Sequence, residues 1–178
     1  MSGVDAGAFI DVLGTVTEFS VGLAGFAGVA AALLHRSRGV HPVDRFRIVG
    51  VILVSLAPGL AAFVGIATLQ FDISVADSVR MAGVAVFAGQ GGAMLWMLRF
   101  LPDRAYRPKV VRPIAQFINI TGVAVLASQL YIVIALPASA QGILVAAMVV
   151  MLINGSLMFA GLIWSLLGYN LADPETDE

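Results

Sequence analysis

The sequence contains no cysteine, one lysine (Lys109) and two histidines (His35 and His41). Without cysteine the chain can form no disulfide, no thiolate metal site and no thiol redox centre. Neither histidine lies in an apolar segment, so haem ligation inside a membrane is not expected. Lys109 lies in a polar segment, which excludes a retinal Schiff base within the membrane. We therefore predict no metal and no cofactor. Because no nucleophile lies beside a suitable base, we also predict no enzymatic activity.

Charged residues are scarce as well. They make up 12% of the 178 residues, whereas 60% of the residues are hydrophobic. An average soluble domain is about one quarter charged. The formal net charge is −1, so the chain has no excess of basic residues for binding nucleic acid. This composition predicts an integral membrane protein without a nucleic-acid partner.

Several apolar segments are long enough to cross a membrane, which takes about 20 residues of α-helix. Polar breaks at residues 71–80 and around Pro137 divide the longer apolar stretches into separate crossings. The predicted spans are residues 9–34, 48–70, 75–98, 114–136 and 140–168. We therefore predict an all-α membrane protein, a bundle of about five helices in a single domain (residues 1–171), followed by a short acidic tail (172–178). The Pro58–Gly59 pair in the second span predicts a kink there.

The basic residues are concentrated in the segments after the first and third spans. They are Arg36, Arg38, Arg45 and Arg47 in the first of these segments, and Arg99, Arg104, Arg107, Lys109 and Arg112 in the second. Two spans separate the segments, so they lie on one side of the membrane, and the positive-inside rule makes that side cytoplasmic. We expect the N-terminus outside, the C-terminus in the cytoplasm, a location in the plasma membrane, and binding of anionic lipid headgroups at both basic segments.

The first span carries a glutamate, Glu18, and a carboxylate inside a membrane is costly unless it is neutralised, paired or hydrated. Alternating steps of four and three residues place Glu18 on a helical stripe that is polar before it and small after it. This stripe contains Asp11, Thr15, Glu18, Gly22, Gly25, Val29 and Ala32, and a parallel set of small residues spaced by four contains Ser20, Ala24, Gly28 and Ala32. Small residues let membrane helices approach closely. We therefore expect these glycines to pack against another helix and Glu18 to face protein or water.

Two roles are open for Glu18. Arg80 begins the third span, and in the predicted orientation it lies, like Glu18, in the outer part of the membrane. The two side chains would then form an ion pair. Alternatively, Glu18 takes part in permeation or proton transfer, since intramembrane ionisable residues commonly mark ion pathways.

The third and fourth spans resemble each other. MAGVAVFAGQ (residues 81–90) and ITGVAVLASQ (residues 120–129) share six of ten positions. Either a duplication or the convergence of two helices rich in alanine and glycine would produce this similarity. Gln90 and Gln129 are the last residues of these two similar segments, and Asn119 directly precedes the second segment. We expect these amides to line a pathway or to form interhelical hydrogen bonds.

Two hypotheses for function follow. The first is a homo-oligomeric channel or simple transporter for cations or protons, with Glu18 in or beside the pathway together with Asp11, Thr15, Gln90, Asn119 and Gln129. A chain of five spans is small for enclosing a pathway alone, which favours a symmetric assembly. The alternative is a non-conducting accessory subunit of a larger membrane complex, with Glu18 paired to Arg80.

Overall fold

The computed structural model is all-helical over the part of the chain that it describes. The backbone is described for residues 6–38, 42–100 and 111–171, and the side chains for residues 6–33, 48–99 and 116–164. The helices are α1 (Ala6–Arg38), α2 (Pro42–Gln70), α3 (Val75–Phe100), α4 (Val111–Ala135) and α5 (Ala140–Leu171). Each contains an apolar segment long enough to cross a membrane. The predicted fold class, an all-α membrane protein with five spans, is therefore confirmed.

The apolar segments agree closely with the predicted spans. They are Ala6–Leu33, Ile48–Gln70, Val75–Arg99, Gln116–Ala135 and Ala140–Trp164. The side chains of His35, His41 and the basic segments, apart from Arg99, lie outside the described residues, as does the acidic tail. The predicted orientation and the predicted lipid-headgroup contacts therefore stay predictions.

Helix α2 is the most enclosed element. Its most apolar window is 61% buried, whereas the corresponding windows of the other helices are between 22% and 39% buried. It packs against α1, α3 and α5. A methyl group added at Gly89 of α3 would lie 2.8 Å from Ala57 of α2, and one added at Gly65 of α2 would lie 3.5 Å from Ala82 of α3. As residue numbers rise along α3 they fall along α2, so these two helices are antiparallel.

The remaining contacts close the bundle. Helix α1 packs against α2 and α5, α4 packs against α3 and α5, and α5 also reaches α2 and α3. Apolar side chains fill the centre, among them the fully buried Leu13, Val86, Ile132, Leu144 and Met148. The described part of the chain thus has a packed, apolar core.

The turn between α2 and α3 shows why α2 ends and α3 begins where they do. Asp72 adopts a left-handed conformation (φ 58°), which aspartate tolerates better than most residues. Its N–H donates to the Leu69 carbonyl, and that of Ile73 donates to the Thr68 carbonyl, the pattern that closes a helix C-terminus. Ser74 then caps α3, because its Oγ accepts a hydrogen bond from the Asp77 N–H at 3.1 Å.

Helix α2 continues through Pro58, and the residue after it makes the closest approach to α1. A methyl group added at Gly59 would lie 2.6 Å from Ser20 Cβ, a distance that real side chains do not reach. Ser20 is fully buried in this contact. Close helix packing of the kind predicted for α1 therefore exists, but it uses Ser20 rather than the stripe that contains Glu18.

Candidate functional site

Glu18 points away from the bundle. The buried side of α1 is formed by Phe9, Leu13, Val16, Ser20, Leu23, Ala27 and Ala30. Glu18 and Ala27 are nine residues apart, which is about two and a half helical turns and places them on opposite sides of the helix. Glu18 is exposed, as are Asp11 and Thr15. We refer to this outward side of α1, with Asp11, Thr15, Glu18, Gly22 and Gly25, as the Glu18 face.

The glycines of the Glu18 face have open space before them. Added methyl groups at Gly22, Gly25 and Gly28 would meet no described atom within 4 Å. These glycines therefore do not pack against another helix within the described part of the chain, and their predicted place at an interface between copies of the chain stays a prediction. The physical reason is that α1 carries small residues on two sides, and α2 packs against the side where Ser20 fits beside Gly59.

Glu18 also lies deep within its span. It follows the first residue of the apolar segment, Ala6, by twelve residues and precedes the last, Leu33, by fifteen. At about 1.5 Å per residue, it is some 18 Å or more from either end of this segment. Glu18 is thus well inside the described apolar segment, and its predicted place in the outer part of the membrane stays a prediction.

The predicted ion pair between Glu18 and Arg80 does not form between the described side chains. Arg80 Nη1 lies 3.8 Å from Asp77 Oδ1 within α3, and the two side chains are 44% and 58% exposed. Glu18 is on α1 and Arg80 is on α3, and α2 packs against both of these helices. Among the described residues, Glu18 has no hydrogen bond and no ion pair. Its charge is thus uncompensated within this part of the chain.

Gln90 and Gln129 lie in the packing between α3 and α4. A methyl group added at Gly122 would lie 2.9 Å from Gln90 Nε2, and one added at Gly83 would lie 3.3 Å from Gln129 Oε1. The contacts are reciprocal, because the glycine of each similar segment lies against the glutamine of the other segment. They show that α3 and α4 are antiparallel. The similarity between the two segments therefore has a packing role, whatever its origin.

The six predicted pathway residues are not brought together. Asp11, Thr15 and Glu18 share the outward side of α1, whereas Gln90 and Gln129 are buried between α3 and α4. Asn119 is exposed on α4. Within the described chain, only the three residues of α1 share a surface. The part of all six residues in a pathway between copies stays a prediction.

A groove between α1 and α5 adjoins the Glu18 face. Its volume is about 570 Å³. It is lined by Thr15, Val16 and Phe19 of α1 and by Val149, Leu152, Ile153, Ser156, Leu157 and Ala160 of α5. Thr15 Oγ1 donates to the Asp11 carbonyl at 3.1 Å, and Ser156 Oγ donates to the Leu152 carbonyl at 2.8 Å. The groove is therefore almost entirely apolar.

Three buried polar groups are not among the predicted pathway residues. Asn154 Nδ2 of α5 donates to Thr121 Oγ1 of α4 at 2.9 Å, an interhelical bond of the kind expected for the glutamines. Ser55 Oγ and Ser20 Oγ are buried without a hydrogen-bond partner among the described atoms. Asn154 is the only asparagine in the fifth span, and this isolated amide is the signal from which the bond to another helix could have been predicted.

No cluster of three or more histidine, cysteine or acidic side chains that could hold a metal ion occurs among the described residues. Comparison of the chain with protein-family models, with curated proteins and with solved structures finds no match.

Proposed function

We propose that this chain forms a homo-oligomeric channel or simple transporter for protons or cations, with the Glu18 face of α1 in or beside the pathway. The observation that carries the proposal is the position of Glu18, which lies deep in the span, points away from the chain's own core and has no cationic partner among the described residues. Such residues rarely face lipid and usually face a protein interior or water. An interior on this side of α1 requires a second chain.

The other residues of the Glu18 face support contact with a second copy. Gly22 and Gly25 leave the α1 backbone open to close approach, and close approach is the main route by which membrane helices associate. A symmetric assembly would place several Glu18 carboxyl groups around one axis, where each can bind and release a proton or a cation.

The accessory-subunit hypothesis keeps one supporting observation. Because Glu18 has no cation beside it among the described residues, a basic side chain of a different membrane protein would compensate its charge equally well. In that arrangement the Glu18 face binds a partner, and no ion crosses. The version of this hypothesis in which Arg80 neutralises Glu18 has no support in the described contacts.

Replacing Glu18 by glutamine is expected to lower ion flux by about tenfold or more, which corresponds to the loss of about 1.4 kcal/mol of ion stabilisation. Glutamine keeps the shape of the side chain but binds neither a proton nor a cation by charge. The measurement is the flux of protons and of K⁺ into proteoliposomes under an imposed membrane potential and pH gradient. Asp72→Asn is the matched control, because it makes the same chemical change in the turn after α2.

Flux that Asp72→Asn preserves and Glu18→Gln abolishes supports the proposal. Wild-type protein that is folded yet passes no more ions than empty liposomes contradicts it and favours the accessory-subunit hypothesis. Equal flux through wild type and Glu18→Gln also contradicts it, because Glu18 would then have no part in permeation.

A further inference from the structure

The groove between α1 and α5 lies close to Glu18. Thr15, which lines the groove, is three residues before Glu18, and Phe19, which also lines it, is the next residue. Residues three apart are neighbours on a helix surface. Glu18 is not one of the lining residues, but it is next to two of them on the side where α1 is exposed.

The walls of the groove are unsuited to an inorganic cation. Hard cations such as Ca²⁺ bind about six to eight oxygen atoms. The groove offers two hydroxyl groups, those of Thr15 and Ser156, and both already donate to carbonyls of their own helices. Its other lining residues are apolar. Glu18 alone cannot replace the hydration shell of such an ion.

The same features suit an organic cation with a large apolar body. A volume of about 570 Å³ falls within the range of roughly 300–1,000 Å³ that is typical of small-molecule sites. Phe19 is 60% exposed beside Glu18, and an aromatic ring attracts a cation to its face. Residues 6–33 of α1 and 140–164 of α5 contain no basic side chain that would repel such a ligand.

We propose that the groove between α1 and α5 binds a lipophilic organic cation, with the apolar body of the ligand between the helices and its positive centre beside Glu18. This inference rests on the proposed function in taking Glu18 as the cation-binding group, and it names the class of cation.

Tetraphenylphosphonium is the probe for this site, and its binding to the purified protein in detergent is measured by equilibrium dialysis. We expect saturable binding that weakens by about tenfold or more in Glu18→Gln, the scale of one desolvated pair of opposite charges. Ala160→Phe, which fills the groove from α5, is expected to weaken it similarly. Asp72→Asn is expected to leave it unchanged.

Binding of the probe that does not saturate, or that is equal in wild type and Glu18→Gln, would overturn the inference. Glu18-dependent flux of protons or K⁺ without saturable binding of the probe overturns this inference alone. Saturable, Glu18-dependent binding without any ion flux supports the groove site and contradicts only the proposed transport. The two proposals can thus fail separately.

Discussion

Replacing Gly25 by leucine is expected to separate the copies of this chain while each copy stays folded. Gly25 lies on the Glu18 face, and a side chain added there meets no described atom of its own chain within 4 Å. Within the chain, leucine is also the better helix former, by roughly 0.5–1 kcal/mol. In an assembly that uses this face, the new side chain pushes two helix backbones apart. Overpacking of this kind costs about 1–3 kcal/mol, or roughly a 5- to 150-fold weaker association.

The measurement is the distribution of oligomeric states in detergent over a range of protein concentrations, alongside thermal unfolding. Gly92→Leu is the matched control, because Gly92 is also an exposed helical glycine with no described atom within 4 Å of an added methyl group. It lies on α3, away from the Glu18 face. Equal dissociation by both variants, or by neither, would show that Gly25 is not at a contact between copies.

Among replacements of a glycine by alanine in the bundle, Gly59→Ala is expected to cause the largest loss of stability. The new methyl group would lie 2.6 Å from Ser20 Cβ and 3.1 Å from Ser20 Oγ. Ser20 is fully buried, and its short side chain cannot move aside, so α1 and α2 must separate. We expect a loss of about 1–3 kcal/mol in the free energy of unfolding.

Denaturation in detergent measures this effect, and Ser20→Gly gives its strictest test. Removing the Ser20 side chain makes room for the methyl group, so Gly59→Ala should cost much less in the Ser20→Gly background. Gly92→Ala is the control for the change of glycine to alanine in an open position. The same cost of Gly59→Ala in both backgrounds would contradict the close contact between these residues.

The number of the spans could be predicted from the sequence because the thickness of the membrane sets the length of an apolar helix. The polar break at residues 71–80 is therefore enough to separate the second span from the third. The caps at Asp72 and Ser74 are local as well, since their hydrogen bonds join residues within five positions of one another.

The direction of the Glu18 face could not be predicted in the same way. Helix α1 has small residues on two sides, Ser20 and Ala27 on one and Gly22 and Gly25 on the other. Either side satisfies the rule that small residues let helices approach. The choice depends on Gly59, which is distant in sequence and complements Ser20.

The glutamines illustrate the same limit. The spacing of Gly83 and Gln90, repeated in Gly122 and Gln129, showed that two helices share a pattern. It did not show that each glutamine lies against the glycine of the other helix. That arrangement requires the antiparallel register of α3 and α4, which sequence spacing within one helix does not contain.

The central claim is that a second copy of this chain covers the Glu18 face, and photo-crosslinking tests it most directly. Val29 lies three helical turns after Glu18 on this face and is 59% exposed, and Val84 on α3 is a matched control at 51%. The photoreactive amino acid p-benzoylphenylalanine is placed at either position, and the membranes are irradiated. We predict a covalent product of two copies from Val29 and none from Val84. Crosslinking from Val29 only to lipid, or to a different protein, would contradict the claim.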